Sequence, residues 1–489
     1  MEAAVRPLNA ETYDAGTRPA ARIVHLGLGA FHRAHQAWYT EEAGDGWGIA
    51  AFTGRSADAA RQLSAQDGLY TLVERTAEGD RCRVIGSIVE AHDGADLQAL
   101  ATLLAHPDTA IVTLTVTEAG YRLAAGGEPA LDAADELVAA DAAALAAHYE
   151  GGSFTLGAHG LDGRVVRTVA GRLVVGLAAR RAADGWPLAV VSCDNLPGNG
   201  AAAKASLLGM ARLVDPLLAG WIEENVSFVD TSIDRITPRT TDADRAAVAE
   251  ATGYDDVSPV VTEPFSSWVL AGDFPAGRPA WEKAGAVFVE DLEAFERRKL
   301  WLLNGAHSLM AYAGRLRGHA TVADALADPA VSAWVEEFWD AAAAHLTAPE
   351  LDVPAYRAAL RERFENPRIA HHLSQIGMDG TLKLAARAVP VYRAEREAGR
   401  AGTAALRPIA AWMDQVCAQL AAGEDVHDRA AGRIAEAAAQ GGQGAEGGAP
   451  ASSSDPAQTT ALLALVDSGL ASEPATASAV HALRGTLTR

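Results

Sequence analysis

The first half of the chain alternates short apolar, β-rich runs with helical stretches. The pattern predicts strands over Ile23–Leu28, Gly48–Thr53, Leu69–Glu74, Cys82–Val89, Ala110–Thr117 and Leu188–Cys193, and a helix over Asp162–Ala182. Strands that alternate with helices predict a parallel sheet covered on both faces, an α/β fold of doubly wound type. From about Asp291 onward the pattern changes to long Ala/Leu/Arg/Glu helical runs with few β-branched clusters. The expected organisation is therefore a Rossmann-type domain over 1–290 and a mainly α-helical domain over 291–489. The Gly/Ser/Pro-rich stretch Gly441–Pro456 reads as a flexible loop before the last helices.

Composition narrows the class. Lys+Arg 41 against Asp+Glu 63 gives a formal net charge of −22, which repels phosphate backbones and argues against a nucleic-acid partner. Hydrophobic residues at 49% and charged residues at 21% fit a folded globular protein. The three cysteines, Cys82, Cys193 and Cys417, form neither a disulfide framework nor a zinc pattern, so no metal is expected and a reducing, cytoplasmic setting is. The N-terminus lacks the apolar core of a signal peptide, and no run of about 18 apolar residues exists to span a membrane. Nearly all the positive charge is arginine; the lysines are Lys204, Lys283, Lys299 and Lys383. A desolvated lysine can give up its proton where arginine cannot, so each is a candidate for chemistry.

Four segments carry candidate chemistry. Gly27 and Gly29, directly after the first strand, predict the tight turn of a dinucleotide-binding βα unit. His32 stands where the third glycine of G-x-G-x-x-G is expected. Asp58 lies beyond the usual spacing for the acid that holds a ribose, and reads equally well as a first-turn helix acid; Arg55 leaves a 2′-phosphate open. Asp194 and Asn195 fall at the carboxyl end of a strand, where a parallel sheet places ligands. On a helix from Phe295, Lys299, His307 and Asn304 fall at about 0°, 80° and 140°, inside one arc. A lysine among leucines there suits a general base, and an amide suits a developing oxyanion.

Together the segments GLGAFHRAHQAWY, AQDGLYTL, TLTVTEAGY, SCDNLPGNG, DRITP, EPFSSWV, GRPAWEKAG, K-x4-N-x2-H and QIGMDGTLK, in this order from Arg22 to Arg387, resemble the long-chain mannitol dehydrogenase family of polyol and sugar-acid dehydrogenases. The resemblance implies a metal-free, NAD(P)-dependent secondary-alcohol dehydrogenase acting as a monomer or small homo-oligomer on a small sugar acid or polyol. By that resemblance Lys299 is the general acid/base, Asn195 and Asn304 the oxyanion pair, His307 the orienting group, and Glu296 a participant in proton traffic. Asp234, Lys383 and Arg387 line the substrate site. Gly27, Gly29, Ala30, Phe31, His32 and Arg33 form the cofactor loop, and Asp58 moves NAD ahead of NADP.

Gln375-Ile-Gly-Met-Asp-Gly with Lys383 and Arg387 looks more like the fructuronate reductases of the family than its mannitol dehydrogenases. A uronate carboxylate needs a cation, which Arg387 or Lys383 can supply. The alternatives are a mannitol 2-dehydrogenase or related polyol enzyme, and a non-catalytic nucleotide sensor on the same fold.

Overall fold

The computed structural model describes residues 5–154, 156, 161, 166–440 and 455–488. Residues 441–454 of the Gly/Ser-rich stretch, and the start of the helix expected from Asp162, lie outside the described residues. The chain divides into two compact units, residues 1–292 and 293–489.

The N-terminal unit is built on eight strands: β1 (Ala21–Leu26), β2 (Gly48–Phe52), β3 (Ile88–His92), β4 (Ile111–Leu114), β5 (Leu188–Ser192), β6 (Val226–Asp234), β7 (Ser267–Ala271) and β8 (Val287–Val289). Their spatial order is 3-2-1-4-5-6-7-8, which over the first six strands is the doubly wound order. The pairings from β3 across to β6 are parallel, and β7 joins β6 antiparallel. The central strands β4 and β5 are buried at every residue, as expected of parallel strands covered on both faces.

One face packs against α2 (Leu97–Ala105), α3 (Val169–Ala182) and α4 (Asn199–Val214) through Leu100, Leu173, Leu177, Leu207 and Met210. The other carries an aromatic core of Trp47, Tyr70, Trp268 and Trp281. The helix α1 (Ala30–Ala34) follows β1 directly and breaks at His35.

Two predicted strands fall elsewhere. Tyr70–Arg75 pairs antiparallel with Asp80–Ile85 in a three-stranded side sheet, outside the parallel one. The run Cys82–Val89 is two strands, because Gly86 and Ser87 interrupt it: the Gly86 N–H turns to Glu41 Oε2 (3.1 Å) and the Ser87 hydroxyl to the Ala37 carbonyl (2.7 Å). The chain then rejoins the main sheet as β3.

The C-terminal unit is helical. A continuous helix runs from Glu293, but it is α-helical only over Glu293–Arg298 and Ala306–Leu309, and π-helical over Lys299–Gly305 and Met310–Gly314. Around it lie α5 (Pro329–Ala343), α6 (Val353–Glu365), α7 (Gly380–Arg387) and α8 (Thr403–Ala421). Asp328 caps α5 by accepting from the Ala330 N–H, with Pro329 at the first helical position. No helix among the described residues is long and apolar enough to cross a membrane.

Candidate active site

In the N-terminal unit the candidate residues other than Asp58, which follows β2, lie just beyond or at the carboxyl ends of β1, β5 and β6. Between β1 and β4 the strand order reverses, which is where open α/β sheets bind ligands. Gly27 leaves β1 with φ +113°, and a Cβ there would lie 2.1 Å from the Thr115 carbonyl oxygen, so no other residue fits. The Gly27 and Leu28 N–H groups donate to the Phe52 carbonyl (2.9 and 2.8 Å), and the Thr115 hydroxyl donates to the Gly27 carbonyl (2.9 Å). Gly29 is extended, with nothing nearer than 3.5 Å to where its Cβ would be. That combination, one glycine locked and the next open to close approach, fits the diphosphate of a dinucleotide.

His32 replaces the third glycine by stacking. Its ring lies on that of His25 in β1, centroids 3.4 Å apart and nearly parallel, so a flat ring provides the close helix–strand contact that glycine usually allows. Burial holds both imidazoles neutral, pushing His25 down to about 3 and His32 well below its ordinary value. Arg33 turns inward: it donates to the Gly29 carbonyl (3.2 Å) and to both oxygens of Ser258, holding the loop from behind. Ala30 and Phe31 are half-buried, and Phe31 stacks on His35 at 5.1 Å. Asp58 is exposed in the first turn of a helix over Asp58–Ser64, ion-paired with Arg61.

Asp194 serves the backbone. It accepts from the Val116 and Thr117 N–H groups (3.0 and 2.8 Å) and from the Tyr121 hydroxyl (2.7 Å). It thereby holds Thr117 at φ +67°, a costly conformation for a β-branched residue. Asn195 is exposed one residue further on, and Asp234 is half-buried at the end of β6. Asn199, which sequence reasoning passed over, ties the two strand ends together. Its amide nitrogen donates to the carbonyls of Asp194 (2.9 Å) and Thr231 (2.8 Å), and its oxygen accepts from the Thr231 N–H (2.9 Å).

In the C-terminal unit Lys299, Asn304 and His307 share one helix, but the π-helical stretch overturns the 100° arithmetic. With i→i+5 bonding, Lys299 and Asn304, five apart, turn nearer to a common face than the separation of about 140° that α geometry gives. Glu296 is half-buried in the preceding α-helical turn. His307 is buried, with its ring against Phe364 (4.8 Å) and edge-on to His371 (4.8 Å, 83°), and its Nε2 has no hydrogen-bond partner among the described residues. Burial holds it well below its ordinary value, aided by His371, Arg363, Arg387 and Lys383.

On α7, Lys383 and Arg387 lie one turn apart. Lys383 Nζ donates to the Ile376 carbonyl (3.0 Å), and Arg387 Nη1 to the Asn304 carbonyl (3.3 Å) and the Ser308 hydroxyl (3.0 Å). Burial lowers both, Arg387 to about 10. His371 and Arg363 had no signal in the sequence; only the fold brings them to His307. No group of three or more His, Cys, Asp or Glu side chains among the described residues is placed to hold a metal ion.

Comparison with known proteins supports what the motifs implied. Residues 21–283 match the mannitol dehydrogenase Rossmann domain, and residues 291–447 the mannitol dehydrogenase C-terminal domain. The chain is 39% identical over 410 residues to the D-mannonate oxidoreductase of Escherichia coli (strain K12), covering 81% of this chain and 80% of that protein. It is 37% identical over 389 residues to a mannitol 2-dehydrogenase of Aspergillus terreus (strain NIH 2624 / FGSC A1156), covering 76% and 74%. Among solved structures it is similar to the Pseudomonas fluorescens mannitol 2-dehydrogenase in ternary complex with NAD and D-mannitol. That match has TM-score 0.70 and 33% identity, over 97% of this chain and 93% of that one. A glycine turn at the switch point of a doubly wound sheet, a helical unit carrying Lys299, Asn304 and His307, and both family domains in chain order make this oxidoreductase a member of the mannitol dehydrogenase family.

Proposed function

We propose that this oxidoreductase interconverts D-fructuronate and D-mannonate with NAD(H), the N-terminal unit holding the cofactor and the C-terminal unit supplying the acid/base. The observation that carries the choice of a sugar acid is the set of basic groups around His307: His371, Arg363, Arg387 and Lys383. Such a field suits a substrate with a carboxylate, which is costly to desolvate without a cation. The identity to a D-mannonate oxidoreductase supports the same choice, and the NAD in the mannitol 2-dehydrogenase complex supports NAD. The exposed Asp58 is the acid offered to the adenosine ribose.

The chemistry that a bound dinucleotide would supply is hydride transfer, to the keto carbon in reduction or from the carbinol carbon in oxidation. In the reductive direction the Lys299 ammonium donates its proton to the oxygen as the C=O π pair becomes an alkoxide pair, leaving a neutral amine that Glu296 and water reprotonate. The amide nitrogens of Asn195 and Asn304 donate to that oxygen while its charge develops. His307, held neutral by burial, accepts from a substrate hydroxyl and orients it. Asp234 binds a further hydroxyl, and Lys383 and Arg387 lower the cost of bringing the carboxylate in.

The test is NADH oxidation followed by absorbance with D-fructuronate and with D-fructose, each repeated with NADPH. Turnover with fructuronate and NADH is expected, and Lys299→Met should abolish it while leaving NADH affinity unchanged. Turnover with fructose alone would make the chain a polyol dehydrogenase and overturn the sugar-acid reading. Cofactor binding with no turnover on either substrate, or on a wider polyol panel, would leave the sensor reading.

A further inference from the structure

π-Helical turns are rare, and seven successive residues in that state are not explained by local propensity. The surroundings of Lys299–Gly305 supply the cause. Two carbonyls inside the segment, two residues apart, accept hydrogen bonds from side chains of two different helices. The indole N–H of Trp339 on α5 donates to the Leu302 carbonyl at 2.8 Å, and Arg387 on α7 donates to the Asn304 carbonyl at 3.3 Å and to the Ser308 hydroxyl at 3.0 Å. The Trp339 side chain is fully buried. Its neighbour Phe338 presses its ring on Gly305, where a Cβ would lie 2.5 Å from the ring edge. The helix is thus drawn toward α5 at Leu302 and Gly305, and toward α7 at Asn304.

In an α-helix a side chain stacks on those three and four residues away, so relaxation to α geometry would set Lys299 over Leu303 and swing Asn304 aside. We propose that Trp339 and Arg387 are positioning residues that hold Lys299–Gly305 in the π conformation, and that this is what aligns the Lys299 amine with the Asn304 amide. The inference rests on the roles proposed above for Lys299 and Asn304. It also gives Arg387 a task distinct from facing the substrate carboxylate: part of its fork is engaged by the backbone it holds.

The experiment uses the full-length protein with Trp339→Phe, which keeps an aromatic ring and removes the indole donor. Hydrogen exchange read by mass spectrometry is expected to quicken at least tenfold in peptides covering 299–305, with β4 and β5 of the N-terminal unit unchanged. On the substrate that wild type turns over, kcat is expected to fall at least tenfold with KM and NADH affinity unchanged. Arg387→Lys, which keeps the charge and loses the fork, is expected to quicken exchange in the same peptide, and it carries the test if Trp339→Phe does not fold.

Unchanged exchange over 299–305 in these variants, or wild-type kcat alongside a merely lowered melting temperature, would overturn the inference. Lys299→Met in the same assay separates the two claims. If it retains turnover the catalytic reading fails, and exchange alone decides the clamp. If it is inactive while Trp339→Phe is normal, only the clamp fails.

Discussion

The glycine loop of the N-terminal unit and the π-helical stretch of the C-terminal unit each lead to a buried, neutral imidazole whose Nε2 lacks a partner among the described residues. Their surroundings differ. The Ser267 carbonyl can only accept, so His35 carries its proton on Nε2 (3.0 Å); the Gln36 amide then donates to His35 Nδ1 (3.0 Å), and His32 Nδ1 donates to Gln36 Oε1 (3.3 Å). With one ring face on His25, His32 is fixed in tautomer and orientation by neutral hydrogen-bonding and stacking partners, and the cation that acts on it is its chain neighbour Arg33. His307 instead sits among Arg363, Lys383, Arg387 and His371. The first imidazole is a packing piece that shapes a loop. The second stands among cations and, in the proposed reaction, touches substrate, so damage to the two regions should appear in different measurements.

The largest expected effect lies in the loop. Gly27→Ala would drive a Cβ to 2.1 Å from a backbone oxygen at a φ of +113°, and neither the strand nor Thr115 can yield. Loss of measurable NADH binding by fluorescence titration is expected. Gly29→Ala, extended and with 3.5 Å of clearance, should weaken binding only in so far as its methyl meets the cofactor. Equal and intact binding in both variants would remove the loop from the cofactor site.

Next is Asn304→Ala, which should lower kcat by roughly 10²–10³ if its amide acts as an oxyanion donor, with NADH affinity unchanged. The comparison sharpens if Asn195→Ala gives a similar loss and the double variant loses less than the product, as groups acting on one charge do. A change in NADH affinity equal to the change in kcat would place Asn304 in cofactor binding instead.

What the sequence disclosed follows the same division. The Gly-x-Gly turn after the first strand is legible because the positive φ it supplies is a local demand of the chain itself, whereas the Thr115 carbonyl that also excludes a Cβ lies just past the neighbouring strand β4, 88 residues away, and left no mark in the sequence. The apolar runs of β4 and β5 were legible for the same reason. Legible by periodicity, too, was a helix bearing Lys299, Asn304 and His307, but not its π geometry. That depends on Trp339, which lies 37 residues after the carbonyl it holds, and on Arg387, 83 residues from its own. The stacking of His32 on His25 likewise needs the turn to fold before the two rings meet. The break at Gly86 was missed because apolar residues on both sides mimic one strand, whereas Glu41 and Ala37 capture the intervening polar groups.

The smallest effect tests the neutral stack. His25 is pushed down to about 3 and His32 well below its ordinary value, both by burial. The unfolded chain takes up protons on these rings near the ordinary histidine value of about 6.5, and the folded chain does not. Stability is therefore undiminished above that pH and falls as pH drops below it, by about 1.4 kcal/mol per pH unit for each ring, down to about pH 3 for His25. His32→Phe keeps a ring on His25 and removes one such proton uptake. Urea unfolding between pH 6 and 4.5 is expected to show a slope shallower than wild type by about 1.4 kcal/mol per pH unit, with NADH affinity at pH 7.5 close to wild type. His307→Phe should flatten the acid slope in the same way yet abolish turnover, since His307 touches substrate in the proposed reaction and His32 does not. An unaltered slope in His32→Phe would mean that His32 is protonated in the folded chain, and the stack would then be a cation against a neutral ring rather than two neutral rings.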